Sequence, residues 1–258
     1  LHITSIANPF NGVIHLGWLG LPATLLWIVG ITNAMNLIDG LDGLASGVAL
    51  IITGTLLCIS LSGGKFGTAV VCTMLCGSTL GFLRYNFNPA RIFMGDSGSM
   101  FLGFTLAIIA LQSTEKSTTA VAILIPLLFF GLPIADMSMA VCRRLFSLGS
   151  RRVEAPHLRV FRADREHIHH KLIELGFSHR AAVLTLYTVT LGLSAFGFLL
   201  TVNRNEKLAL FLAIAFLTAF ALLLGFTVLQ SRRRNNSTLP EPPPASGIIP
   251  EDVLKNRT

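Results

Sequence analysis

Charged side chains are scarce in this sequence. Asp, Glu, Lys and Arg make up 13% of its 258 residues, about half of the roughly 25% typical of water-soluble domains. Hydrophobic residues reach 52%, a balance that excludes an ordinary soluble domain and makes lipid the main solvent. Cysteine is also rare. Cys58, Cys72, Cys76 and Cys142 all fall inside apolar runs, where they read as small buried side chains, so no disulfide framework or Cys-rich metal site is available. No basic leader precedes the first apolar run, which is too long and too soon followed by others to be a cleaved signal peptide. The chain starts at Leu1 and has no methionine before Met35, so an upstream portion is expected.

What is present is a series of apolar runs near 13–32, 44–61, 67–83, 98–112, 119–142, 181–202 and 208–230. Runs of this length are able to cross a hydrocarbon core of about 30 Å, the fourth being short. The expected fold class is all-α: a polytopic helical membrane protein with about seven transmembrane segments. Residues 1–230 form the membrane domain. The remainder, 231–258, begins "SRRRNNSTLPEPPPASG" and reads as a disordered cytoplasmic tail, a stop-transfer cluster followed by Pro-rich sequence unable to bury a core.

Connections alternate between the two sides of the membrane. The set 33–43, 84–97, 143–180 and the tail holds sixteen of the twenty Lys and Arg; the opposite set holds only Lys65, Lys116, Arg204 and Lys207. That asymmetry places the first set in the cytoplasm. The net charge of +7 is then accounted for by orientation and anionic lipid headgroups, without a nucleic-acid partner.

Three clusters of reactive side chains lie on that same side: "NAMNLIDGLDGLA" at 33–45, "RYNFNPARIFMGDSGS" at 84–99 and "FRADREHIHHKL" at 161–172. Asp39 and Asp42 are three apart, which brings them to one side of a helical turn, and Gly40 and Gly43 permit close backbone approach. Such a doublet suits a divalent cation or the donors of a nucleotide, while a helix-ending turn explains the same residues equally well. Asp96 and Ser97 precede a new apolar segment. They read either as a simple helix cap or as a phosphate-binding helix start with Asp96 as a hard oxygen ligand for magnesium. In a helix, "HIHH" puts His167 and His170 on one face and turns His169 away. The basic neighbours Arg162, Arg165 and Lys171 favour a polyanion over a zinc dication, with a surface helix as the plain alternative. Asp136, near the end of the fifth run, reads as a partner for Arg143 or Arg144.

In order and spacing, "NAMNLIDGLDGLA", "NFNPARIFMGDSGSMFLG" and "REHIHHKL" resemble the polyprenyl-phosphate N-acetylhexosamine-1-phosphate transferases, the family that includes MraY, WecA and TagO; the likeness runs from about Trp18 to Tyr187. The resemblance implies a magnesium-dependent membrane enzyme (manganese serving as a substitute) of the bacterial cell membrane, with its site on the cytoplasmic side. The sugar-1-phosphate of a UDP-N-acetyl amino sugar would pass to undecaprenyl phosphate, releasing UMP and initiating cell-wall or surface-polysaccharide synthesis. "HIHH" and "MGDSGS" are closer to the WecA and TagO branch, which implies GlcNAc. Carried over by motif, Asp96 would be the metal ligand, Asp39 would line the cleft, and His167, His169 and His170 would contact the diphosphate. Asn36, Gly40, Leu41, Asp42, Asn86 and Phe93 would form the donor site, Phe93 stacking on uracil. Membrane lipids and a homodimer complete the expected partners. The family also carries an Asp-Asp pair and further helices upstream of the matching region; nothing before Trp18 supplies them, and a truncated, inactive transferase is the alternative reading of the chain.

Two other readings are weaker. "NPA" at 88–90 is an aquaporin-like half-helix motif, but a pore of that kind needs it twice and the other Asn-Pro, Asn8-Pro9, is followed by Phe10. A zinc hydrolase built on "HIHH" lacks any cysteine ligand.

Overall fold

The computed structural model describes residues 5–7, 13–114, 121–147, 172–174, 176–202, 211 and 218, all within one compact unit spanning residues 1–220. Most of these residues are helical. After a short antiparallel pair, β1 (Ser5–Ala7) and β2 (Val13–His15), a single 3-10 turn leads into α1 (Gly20–Leu37). Then follow α2 (Leu44–Ser62), α3 (Phe66–Asn86), α4 (Gly95–Thr114), α5 (Val121–Phe129), α6 (Gly131–Ser147) and α7 (His179–Val202).

Among the described residues, four stretches are long and apolar enough to cross a membrane: 17–37, α2, α3 and α7. The remaining runs depart from expectation in instructive ways. The first begins later and ends later than its hydropathy suggests. Residues 13–15 pair as a strand, and the helix continues through "NAMNL" to Leu37, with Thr32 and Asn33 turning their polar groups onto the carbonyls of Ile28 and Val29, four residues back. The fourth run is a 20-residue helix whose first turn is the polar "GDSGS", which leaves its apolar part short. The fifth run, 119–142, is two helices that break at Phe130. Pro133 has no N–H with which to continue the ladder. The chain turns there, and the ladder resumes at Ile134, whose N–H bonds to the Phe130 carbonyl. The seventh run, 208–230, lies outside the described residues apart from Phe211 and Thr218, as does the tail.

In lipid there is little hydrophobic drive to bring helices together, so close approach through small residues carries more of the association. α1 packs on α4 and α6, α2 on α3, α4 and α7, and α5 on α7. A Cβ on Gly103 of α4 would sit 2.8 Å from the Thr32 Cα of α1, and one on Gly197 of α7 would sit 2.5 Å from the Phe129 ring. The indole N–H of Trp27 bonds the Ala107 carbonyl across the α1–α4 seam, and its ring meets Phe130 edge-on at 5.8 Å. Met35, Ile52, Leu56, Leu106 and Phe129 are fully buried, whereas Leu21, Leu26, Val70 and Met74 face outward, as lipid-contacting side chains should.

The two ends of the helices are chemically distinct. At one end the Lys65 ammonium donates to the Gln112 and Ser113 carbonyls, both at 2.7 Å. A cation there meets the negative end of the α4 dipole. At the other end lie the α1–α2 turn, the α3–α4 loop and the start of α7.

The α1–α4 contact gives a direct test. Gly103→Val should lower the unfolding free energy by about 1–3 kcal/mol, the usual range for overpacking. Gly77→Ala, where an added Cβ meets nothing within 4 Å, should leave thermal unfolding in detergent almost unchanged.

Candidate functional site

Residues 38–43 form a turn rather than a further helical turn. It closes on Gly43, which takes a left-handed φ of +80° as the N-cap of α2. Only glycine adopts that conformation without strain, and a Cβ there would also press on Phe87 at 3.2 Å. The turn gives the two aspartates of the doublet separate surroundings. One Asp42 carboxylate oxygen accepts from the Asn88 side chain at 3.1 Å and from the Ala90 backbone N–H at 3.0 Å. Asp42 therefore ties the α1–α2 turn to the α3–α4 loop. Asp39 instead lies within electrostatic reach of Asp96, which stands in the first turn of α4 just after Gly95, itself at φ +64°. Partial burial, and then the Asp96 charge, push the Asp39 carboxyl up from 3.8 to about 6.

Asn36 and Asn86 act as connectors. Ser99, fully buried, donates to the Asn36 side-chain oxygen and so joins the end of α1 to the start of α4. Asn86 is buried, accepts from Ser46 Oγ at 2.8 Å and donates to the Ile92 carbonyl at 3.0 Å. Both amide ends are thus occupied by protein. Leu41 is buried in the core, Gly40 is exposed, and the Phe93 ring is 75% exposed on the loop surface. The described structure therefore brings together Asn36, Asp39, Asp42, Asn86, Phe93 and Asp96 at one end of the helices. His167, His169 and His170 lie outside the described residues, as do the side chains of Arg143 and Arg144. Asp136 is buried within α6.

Two contributors carry no motif. Arg180, near the start of α7, donates from Nε to the Asn88 carbonyl at 3.0 Å. The Tyr187 hydroxyl donates to the Gly43 carbonyl, and its ring lies over Gly47, where an added Cβ would collide with it. The spacing of Gly43 and Gly47 was the available sequence signal for such a close approach.

Among the described residues, no group of three or more His, Cys, Asp or Glu surrounds one point. Asp39 and Asp96, close enough for the charge of Asp96 to push up the Asp39 carboxyl, offer hard oxygen donors of the kind that a dication takes one or two at a time, keeping water and phosphate for its other positions.

The fold and site together define a helical membrane protein that gathers carboxylates, amides and a glycine-capped helix start at a single end. Residues 1–114, which carry the Asp39, Asp42 and Asp96 motifs, match the model of glycosyl transferase family 4. It is 48% identical over 175 residues to a probable undecaprenyl-phosphate N-acetylglucosaminyl 1-phosphate transferase of Bacillus subtilis (strain 168), covering 68% of this chain and 46% of that protein. It is 36% identical over 235 residues to a decaprenyl-phosphate N-acetylglucosaminephosphotransferase of Mycobacterium leprae (strain TN), covering 83% and 55%. It is 37% identical over 199 residues to a phospho-N-acetylmuramoyl-pentapeptide-transferase of Clostridium perfringens (strain SM101 / Type A), covering 75% and 56%. The chain spans about half the length of these curated relatives.

The raised Asp39 carboxyl sets a pH dependence. Between 3.8 and about 6 the folded state keeps a proton that the unfolded chain releases, so stability falls as pH rises through that window. With divalent cations chelated, Asp39→Asn should raise the melting temperature relative to the parent at pH 7.5 and leave it nearly unchanged at about pH 3, below both ends of that window. An equal shift at both pH values would contradict the assignment.

Proposed function

We propose that this chain carries part of the site of a polyprenyl-phosphate N-acetylhexosamine-1-phosphate transferase, facing the cytoplasm of a bacterial cell membrane. The substrates are a UDP-N-acetyl amino sugar and undecaprenyl phosphate, and the products are UMP and a lipid-linked diphosphate sugar. The single observation that carries this reading is the Asp39–Asp96 pair, standing beside a helix start and an exposed aromatic ring in a chain similar to members of this family. GlcNAc is favoured as the sugar by the "HIHH" and "MGDSGS" forms and by the 48% identity to a relative named for N-acetylglucosaminyl transfer.

Asp96 and Asp39 would hold magnesium, which when bound supplies positive charge against the donor diphosphate. The residues of the chain then do the positioning. Free N–H groups in the first turn of α4 face the same region as Asp96 and favour phosphate oxygens. Phe93, exposed on its loop, offers a face for the uracil ring. Asp42, already bonded to Asn88 and Ala90, fixes the loop that presents Phe93. The lipid phosphate, largely dianionic at pH 7 with a second pKa near about 6, is itself the nucleophile toward the phosphorus that carries the sugar. No strong general base is required, and orientation supplies much of the rate.

The test is UMP release from UDP-GlcNAc with undecaprenyl phosphate, measured in membranes containing the full-length gene product. Asp96→Asn should reduce release by at least about 100-fold, in line with losing a metal ligand in phosphoryl transfer, with membrane insertion intact. Retained activity would remove Asp96 from the metal site.

A further inference from the structure

The hydrogen bonds at the polar end close a triangle with three corners. The α1–α2 turn is bonded to the α3–α4 loop through Asp42, with Asn88 and Ala90 as donors. The α3–α4 loop is bonded to α7 through Arg180, which donates to the Asn88 carbonyl. α7 is bonded back to the α1–α2 turn through Tyr187, which donates to the Gly43 carbonyl. Arg180 and Tyr187 are seven residues apart, so two turns of one helix place them on the same face. The Gly43 carbonyl also accepts the Gly47 N–H at 2.9 Å, while Ser46 Oγ, with a single proton to give, is nearer to Asn86 at 2.8 Å than to Gly43 at 3.1 Å. Tyr187 thus supplies a tether to this carbonyl from outside α2, and Gly47 is the residue that makes room for it.

From this triangle we infer that Tyr187 is a positioning residue for the carboxylate turn: its hydroxyl, acting through Gly43, holds Asp39 in place opposite Asp96. Asp39 and Asp96 carry like charges and gain by moving apart. The turn that bears Asp39 is short, and its C-terminal end is fixed by Asp42 on one side and by Gly43 on the other. Without the Tyr187 tether, the Gly43 corner keeps only the bonds of its own helix start, and residues 38–43 gain freedom to swing outward. The consequence for the site rests on the transferase reading above; the consequence for the turn does not.

The variant is Tyr187→Phe, which keeps the ring over Gly47 and removes one hydroxyl. Two readouts separate the two levels. In metal-free protein in nanodiscs, amide hydrogen exchange of residues 38–43 should accelerate by about 3- to 10-fold, the effect of one lost hydrogen bond, with exchange in α2 and α7 unchanged and the melting temperature lowered by no more than about 2–5 °C. In the UMP-release assay, the magnesium concentration giving half-maximal rate should rise by about 5- to 10-fold. A variant that merely folded less well would lower the maximal rate and leave that midpoint where it was. Unchanged exchange at 38–43 overturns the inference, and so does acceleration spread evenly over α2 and α7 with a melting temperature lowered further than that. If the parent protein releases no UMP with magnesium present, the transferase reading fails while the exchange measurement still decides the role of Tyr187.

Discussion

The carboxylate of Asp42 is the junction on which the polar end of this molecule depends. One of its oxygens receives both an amide side chain and a backbone N–H from a loop 46 and 48 residues away in sequence. Those two bonds decide where the α3–α4 loop lies, and that loop in turn decides where α4 starts and hence where Asp96 stands. An acceptor with full negative charge makes stronger hydrogen bonds than a neutral one. At a helix end such an acceptor finds donors in a neighbouring loop, here Asn88 and Ala90, whereas a carboxylate deeper in lipid is costly. The site is therefore built where the bundle meets water.

This division of labour among the acidic residues separates structure from chemistry. Asp42 is satisfied by its own protein. Asp39 is not matched in this way: partial burial and a like charge oppose its ionisation. Groups whose surroundings push their ionisation away from the ordinary value mark functional sites more often than packing sites. Asn36 and Asn86 show the same economy at the neutral level. Each uses its amide to join two helix ends, through Ser99 in one case and Ser46 with Ile92 in the other, and so keeps the neighbouring carboxylates in register.

Much of this was legible from the sequence, because the governing signals are local. Hydropathy located α2, α3 and α7 to within a few residues, and the uneven distribution of Lys and Arg grouped the 33–43 and 84–97 segments on one side, where the hydrogen bonds that Asp42 accepts from Asn88 and Ala90 join them. What stayed hidden depends on partners far along the chain. A spacing of three reads Asp39 and Asp42 as equivalents, and only the position of Asn88 assigns them different tasks. Tyr187 sits in an apolar run with nothing nearby to advertise its hydroxyl, since its acceptor is 144 residues away. The break at Phe130 was concealed for a different reason: Pro126 and Pro133 lie in a run apolar enough to look like a single crossing.

That break also changes how the membrane domain is wired. An unbroken helix covering the 9 residues of α5 and the 17 of α6 would be a rod of about 40 Å, longer than the apolar layer and held to one direction throughout. Interrupted at Phe130, the same stretch sends α5 along α7 and α6 along α1. The crossing thereby belongs to two neighbourhoods at once. Substitutions in its first half are felt by the helix that carries Arg180 and Tyr187, and those in its second half by the helix that ends in the Asn36 turn, so that adjacent stretches of one segment evolve under unrelated packing demands.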